Sequence, residues 1–193
     1  MKKVLLLFTI LFVSVITTAC INNLAIQELN NKAAAYMDKG DTQTAICRLK
    51  SSLDLDTEIY QTHYNLAVAY NTIGNYEESV DESKKVIELK PDFAESYYTL
   101  AVAKEEIAYG MINKEENEKL SLDEISNFNN NAQEAIDAYN EYLIKKINAQ
   151  DSDNVNEHIE GLNSKIKELA QIYSDISASN QEKISEEFNK QEQ

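Results

Sequence analysis

The chain has 193 residues, and its 33 acidic and 18 basic side chains give a formal net charge of −15. Nucleic acids are bound by clustered Lys and Arg side chains that release counterions, so this balance argues against a nucleic-acid partner. It also argues against electrostatic binding to anionic lipid. One proline, four glycines and two cysteines are too few for a disulfide framework or a many-stranded sheet. The composition therefore predicts an all-α protein.

Residues 1–19 have the pattern of a secretory signal peptide. Lys2 and Lys3 make the start positive, residues 4–16 are almost entirely apolar, and small residues lead up to Cys20. The apolar stretch is shorter than the ~20 residues that a membrane-spanning helix needs. A signal peptide that is removed from the mature chain is therefore expected here.

The small residues that end at Cys20 resemble the lipobox of bacterial lipoproteins, with Thr17 where that motif usually has leucine. The resemblance implies a lipid anchor on Cys20, a tether over residues 20–25, and a place at the bacterial cell membrane or outer membrane, outside the cytoplasm. Plain signal-peptide cleavage and an uncleaved N-terminal anchor remain open. We expect Cys47 to be a buried, inert thiol beside core positions. The alternative is a Cys20–Cys47 disulfide in a secreted protein without lipid.

A period of 34 residues separates Gly40-Asp41 from Gly74-Asn75, and an aromatic residue stands four positions before each glycine. Residues 60–93 read as helix, turn and helix, and they resemble the tetratricopeptide repeat. In the first helix the matching residues are large, small and aromatic: Leu66, Ala67 and Tyr70. Gly74 and Tyr76 match the turn, and Pro91 matches the stop after the second helix.

The resemblance implies an α-solenoid of tandem helical hairpins over residues 26–147, with copies at 26–59, 60–93 and 94–147. The third copy is longer than a standard repeat by an insert of 22 residues at about 109–130. Ser121 with Glu124 forms a capping-box pattern, which favours an overlong hairpin that turns near Ser121. A mobile loop is the alternative, because Gly110 and the asparagines of 127–131 are poor helix formers.

Seven apolar residues at alternating spacings of four and three form a single seam: Val155, Ile159, Leu162, Ile166, Leu169, Tyr173 and Ile176. This seam predicts a C-terminal helix over residues 153–176 that caps the last hairpin. The alternative is a coiled-coil homodimer through the same seam. Residues 177–193 are polar and are expected to fray.

His63 and His158 are the two histidines, and neither has a partner placed by a recognisable motif. Each is more often a structural or surface residue than a ligand. We predict no enzyme activity, no catalytic residue, no metal site and no cofactor.

Five positions of each tetratricopeptide repeat line the concave groove. Here they are Gln27, Asn30, Ala34, Met37 and Asp38, then Gln61, Tyr64, Val68, Asn71 and Thr72, then Glu95, Tyr98, Val102, Glu105 and Glu106. None is Lys or Arg, so the resemblance does not extend to the basic clamp with which some members hold a C-terminal carboxylate.

From these positions we predict a partner-binding set for an apolar protein segment with a basic flank. The set contains Tyr64, Val68, Asn71, Glu95, Tyr98, Glu105 and Glu106. The alternative is that the two tyrosines only pack between neighbouring first helices. The expected function is a membrane-tethered adaptor of the bacterial envelope that binds a membrane-proximal protein, for example in assembly of an envelope complex. A structural dimer held by the C-terminal seam is the competing hypothesis.

Overall fold

The computed structural model describes residues 21–113, 119–146 and 150–191, with side chains up to residue 183. Seven helices and no strand occur in these residues. The first, α1, covers 21–37. It is followed by α2 (Thr42–Leu53), α3 (Tyr60–Thr72), α4 (Tyr76–Leu89), α5 (Ala94–Ile112), α6 (Leu122–Lys145) and α7 (Ser152–Gln191). The chain divides into two compact units, Met1–Pro91 and Asp92–Gln193, which we call unit 1 and unit 2.

Two matching glycine turns give unit 1 its pair of hairpins. Gly40 and Gly74 both have φ of 76°, a backbone conformation that favours glycine. The amide of Asp41 donates to the carbonyl of Tyr36 over 2.9 Å, and the amide of Asn75 donates to that of Tyr70 over 3.0 Å. The same turn closes both hairpins, so the predicted period of 34 residues is a structural repeat.

Small residues let the second hairpin of unit 1 close tightly. Ala67 of α3 and Ser79 and Ser83 of α4 are all 0% exposed. The Ser79 hydroxyl donates to the carbonyl of Ala67 over 2.9 Å, so the two backbones lie close at this point. Larger side chains there would separate the helices.

The core of unit 1 is apolar and draws on its first three helices. Its members include Ala33 of α1, Leu49 of α2 and Leu66 of α3. Cys47 of α2 is exposed, so the prediction of a buried thiol is wrong. Ile46 and Leu49 point α2 into the core, and Cys47 lies on the opposite side of the same turn.

The first helix begins earlier than the predicted tether allows. Residues 21–25 are already helical, whereas the sequence suggested an extended tether over 20–25. A helix rises ~1.5 Å per residue, so these five residues span ~7.5 Å, against ~18 Å for an extended chain. Residues 1–19 and Cys20 lie outside the described residues.

The third hairpin is overlong, as predicted. α5 has 19 residues and α6 has 24, against 13 and 14 for α3 and α4. Ser121 caps α6 in a capping box with Glu124, in which Ser121 Oγ accepts from the Glu124 amide over 3.2 Å. Residues 109–112 and 122–130 are helical, so the mobile-loop alternative is wrong for them. Residues 114–118 of the insert lie outside the described residues.

The insert that lengthens the third hairpin contributes buried side chains to the core of unit 2. Ile125 and Phe128 of α6 are 0% exposed and share one cluster with Ala108 of α5 and Leu169 of α7. The poor helix former Asn131 is held in place because its side chain accepts from Lys104 Nζ over 3.1 Å.

The last helix covers the third hairpin with the predicted seam. Val155, Leu162 and Leu169 are 0% exposed and pack in the cluster built by α5 and α6. The sequence predicted that this helix ends at residue 176, but the helix continues to Gln191. Residues 177–191 contain neither glycine nor proline, so no local signal stops the helix. No helix in the described ranges is long and apolar enough to span a membrane.

Candidate interaction surface

A polar cleft of about 440 Å³ lies between α1 and α3 in unit 1. Its lining contains six side-chain amides: Asn23, Gln27, Asn30 and Asn31 of α1, and Gln61 and Asn65 of α3. Ile26 and Ile59 supply the apolar part of the lining. We call this site the amide cleft, and its lining contains no charged side chain.

Asn30 holds the two helices of the amide cleft together. Its Nδ2 lies 2.9 Å from Thr62 Oγ1 on α3 and 3.1 Å from Ser52 Oγ on α2, and both hydroxyl residues are buried. Its Oδ1 accepts a hydrogen bond from Asn65 Nδ2 over 2.9 Å. A buried polar group is costly unless it is satisfied, so this network fixes α1 against α3 and with it the width of the cleft.

The predicted binding residues of α3 follow the cleft along one helix face. Tyr64, Val68 and Asn71 are half-buried and stand at spacings of four and three residues. Gln61 precedes them by three positions, so the cleft and these residues share a face of α3. The structure therefore brings Tyr64, Val68 and Asn71 together within unit 1.

Tyr98 of α5 packs within its own hairpin in unit 2. Its ring centroid lies 5.8 Å from that of Tyr139 and 5.3 Å from that of Tyr142, both on α6. Burial raises the pKa of the Tyr98 hydroxyl. These contacts lie within unit 2, and the alternative in which the two tyrosines pack between neighbouring first helices stays a prediction.

Glu105 is engaged by two side chains of unit 2. Its Oε2 accepts from the Tyr139 hydroxyl over 2.7 Å, and His158 Nδ1 of α7 lies 3.1 Å from its Oε1. The Glu105 side chain is only 14% exposed. Burial, together with the hydrogen bond to the Glu105 carboxylate, raises the pKa of the Tyr139 hydroxyl far above its ordinary value.

The other two acidic residues of the predicted binding set, Glu95 and Glu106, have surroundings that differ from those of Glu105. Glu95 Oε1 accepts from Lys146 Nζ over 3.3 Å, and Glu106 is exposed. A single groove that joins Tyr64 with Tyr98 across both units stays a prediction.

His63 is a buried polar anchor of the second hairpin. Its Nδ1 lies 2.5 Å from Glu82 Oε2, and its Nε2 lies 2.9 Å from the Thr57 carbonyl. Both partners are acceptors, so both contacts require both ring nitrogens to carry a proton. The hydrogen bond to Glu82 raises the pKa of His63. Its role here is structural, and no group of three His, Cys, Asp or Glu in the described residues is placed to hold a metal.

Sequence reasoning named Gln27, Asn30 and Gln61 as groove positions but missed Asn23, Asn31 and Asn65. The signal was present, because amides recur every fourth residue at 23, 27 and 31 and again at 61 and 65. That spacing places them on one face of each helix.

Comparison with known proteins agrees with this architecture. The tetratricopeptide repeat family model matches residues 60–93. Among solved structures, the second TPR domain of human RPAP3 in complex with the HSP70 peptide SGPTIEEVD is similar, with 13% identity, a TM-score of 0.57, and 74% of this chain and 98% of that chain covered. No curated protein matches the sequence.

Two further solved structures have the same fold. The TPR2B domain of yeast Sti1 in complex with pHsp70 has 14% identity and a TM-score of 0.58, with 74% of this chain and 98% of that chain covered. The Arabidopsis OM64 TPR domain has 13% identity and a TM-score of 0.58, with 73% and 96% covered. The predicted all-α fold of tandem tetratricopeptide hairpins is confirmed.

Proposed function

We propose that this protein is a membrane-tethered interaction module of the bacterial envelope, and that unit 1 binds a segment of a partner protein. The observation that carries the proposal is the continuous surface of unit 1 formed by the amide cleft and by Tyr64, Val68 and Asn71 of α3. It combines hydrogen-bonding amides with an aromatic side chain, the composition of many peptide-binding surfaces.

The similar solved structures support peptide binding as the mode of interaction. The RPAP3 domain holds an HSP70 peptide and the Sti1 domain forms a complex with pHsp70, although each is only distantly similar to this chain. This chain has no Lys or Arg at its predicted groove positions. We therefore propose a different ligand for unit 1, an apolar partner segment with a basic flank.

The lipid anchor is proposed from the sequence around Cys20. With the anchor at Cys20 and helix from residue 21 onward, ~7.5 Å of helix separates the anchor from Ile26. Unit 1 would then lie at the membrane surface, and its partner would be a membrane protein or a protein held close to the membrane.

A structural dimer through α7 is a weaker proposal. Three of its seven seam residues, Val155, Leu162 and Leu169, are already buried within unit 2, and Ile159, Ile166 and Ile176 pack partly against the same cluster. Tyr173 is the seam residue that is exposed, and a dimer seam uses more than one such position.

Site-specific photo-crosslinking in cells tests the proposal. A photoreactive residue at position 64 should yield one dominant crosslinked protein, identified by mass spectrometry, because this position lies on the proposed surface. The matched control is position 88, because Glu88 is an exposed residue of α4 in the same unit. Equal products at both positions, or none at position 64, would exclude unit 1 as the binding surface.

The double variant Tyr64→Ala and Tyr98→Ala is expected to abolish partner capture. Its two substitutions test different properties of the protein. Tyr98→Ala removes packing against Tyr139 and Tyr142, so it tests stability. Tyr64→Ala alone is the cleaner test of binding, since a tyrosine anchor is worth about 2 kcal/mol or more at a hot spot.

A further inference from the structure

We propose that the first turn of α1 inserts into the surface of the lipid bilayer through Ile21 and Leu24, and that this contact fixes the orientation of unit 1 on the membrane. This inference rests on the proposed lipid anchor at Cys20 and adds a second, non-covalent contact to it. Ile21 is 67% exposed and Leu24 is 69% exposed. Leu24 follows Ile21 by three positions, which places both side chains on one face of the helix.

These two side chains form a pair, unlike the other exposed apolar residues. In the part of the chain that the structure describes, the other large apolar side chains that are exposed stand far apart in sequence: Leu55, Ile73, Tyr109, Ile144 and Tyr173. Single exposed apolar residues are ordinary on a protein surface. Two large apolar side chains that are both about two-thirds exposed in one helical turn indicate a contact with an apolar surface.

The sequence on both sides of this pair is uncharged. No Asp, Glu, Lys or Arg occurs from residue 4 to residue 27, so the uncharged stretch includes Cys20 and the start of α1. A charged side chain is costly in the apolar part of a bilayer, and a stretch without charge avoids this cost. The apolar pair also follows directly on the proposed site of lipid attachment. A lipid surface is therefore the occupant that this end of the helix meets first.

The next charged residues show how far the contact extends. Glu28 and Lys32 follow Leu24 by four and eight positions, so they lie on the same side of α1. They form an ion pair at 2.6 Å, with side chains that are 63% and 55% exposed, as expected for groups that stay in water. If α1 lay flat on the bilayer, this pair would be pressed against lipid. The helix therefore enters the bilayer surface by its end, and the boundary lies between Leu24 and Glu28, which are ~6 Å apart along the helix axis.

The apolar pair can orient unit 1 because α1 is built into that unit. Ile26, two positions after Leu24, lies on the opposite side of the helix and is buried. Asn30 Nδ2 lies 2.9 Å from Thr62 Oγ1 and 3.1 Å from Ser52 Oγ. The helix that carries the pair therefore cannot turn without the rest of unit 1. A lipid on a flexible tether leaves a domain free to rotate, whereas an inserted helix end holds it in one orientation.

This orientation determines which part of unit 1 a partner meets at the membrane. Asn23 and Ile26 line one end of the amide cleft and belong to the first two turns of α1. That end of the cleft therefore faces the lipid surface. A partner segment that leaves the bilayer beside unit 1 can reach the cleft directly.

Tryptophan fluorescence tests the insertion, because the chain has no tryptophan of its own. Full-length Leu24→Trp protein is purified from bacterial membranes and reconstituted into vesicles of phosphatidylethanolamine and phosphatidylglycerol, with and without bromine near the ester end of the acyl chains. The emission should be blue-shifted, and bromine should reduce it about twofold or more, because a side chain inserted ~5–10 Å into the boundary of headgroups and acyl chains lies close to the bromine atoms.

Ala35→Trp is the matched control. Ala35 is exposed and follows Leu24 by eleven positions, which places it on the same face and ~16.5 Å farther along the helix axis. Its tryptophan should keep the emission of an aqueous environment and should not be quenched. Addition of Ile21→Glu to Leu24→Trp should withdraw the turn from the bilayer and abolish the quenching, whereas Ile21→Val should preserve it. All these positions are exposed, so the thermal melts should be unchanged.

Four outcomes would overturn the inference. A Leu24→Trp protein that stays on the vesicles but is not quenched would have its first turn in water, which leaves the proposed lipid anchor standing. Quenching of Ala35→Trp as strong as that of Leu24→Trp would mean that α1 lies flat on the bilayer. A blue shift of Leu24→Trp in the Cys20→Ser protein without lipid would mean that a protein surface, such as a second copy, covers the turn. Protein that does not remain with the vesicles would overturn both the anchor and the insertion.

Discussion

His158 of α7 holds Glu105 of α5, with its Nδ1 2.9 Å from Oε2 and 3.1 Å from Oε1 of the carboxylate. The same carboxylate accepts the hydroxyl of the fully buried Tyr139. A side chain that the sequence suggested as part of an acidic binding surface is therefore a link between three helices of unit 2.

Glu105→Lys should destabilise the protein by about 2–3 kcal/mol, because it leaves the buried Tyr139 hydroxyl without its charged acceptor. Glu106→Lys should change stability by less than about 0.5 kcal/mol, since Glu106 is exposed. Urea unfolding followed by circular dichroism measures both. If Glu106 contributes to steering a basic partner, its variant should weaken capture chiefly at low salt. Equal stability of the two variants would contradict the bridging role of Glu105.

Phe128→Ala should cost about 3–5 kcal/mol of unfolding free energy, because the ring is 0% exposed inside the core of unit 2. Asn130→Ala, two residues along the same insert and exposed, is the matched control and should be nearly neutral. Thermal and urea melts of the two variants decide whether the insert is core. A Phe128→Ala protein as stable as the wild type would show that the insert is dispensable.

The stability of unit 1 should depend on the protonation of His63. Its folded-state pKa is raised above 6.5 by the hydrogen bond to Glu82, while Lys85 acts in the opposite direction. A raised pKa means that the stabilisation is complete below pH 6.5 and is lost as the pH rises through the folded-state pKa. Unfolding free energies measured from pH 6 to 9 should fall with pH in the wild type.

The control for this pH dependence is Glu82→Gln, which removes the carboxylate that favours the imidazolium. That variant should be less stable than the wild type at pH 6 and should lose most of the slope above it. A slope that persists in Glu82→Gln would assign the pH dependence to another group.

Cys20→Ser should abolish incorporation of a fatty-acid analogue and release the protein from membranes, because the serine hydroxyl does not form the thioether that carries the lipid. Cell fractionation and labelling measure both effects, and Cys47→Ser, at the exposed thiol of α2, serves as the control. Membrane association that is unchanged in Cys20→Ser would favour an uncleaved N-terminal anchor.

The features that the sequence predicted well are those set by neighbouring residues. Gly40 and Gly74 adopt the positive φ that their turns require, and Ser121 caps α6 with the glutamate three residues later. The spacing of the apolar residues from Val155 to Leu169 predicts which face of α7 is buried. Each of these is a local property, because the interacting groups lie within one or two helical turns of the chain.

The amide cleft and the engagement of Glu105 depended on contacts that are distant in sequence. Asn30 meets Ser52 and Thr62, which lie 22 and 32 residues away, and Glu105 meets His158, 53 residues away. No repeat pattern encodes which polar side chains will face each other across packed helices. The sequence alone determined the helices, their turns and their buried faces. Tertiary packing decided which groove side chains form structural hydrogen bonds and which remain on the surface. The reason is that a buried polar group without a partner costs folding free energy, and only a specific neighbouring group removes that cost.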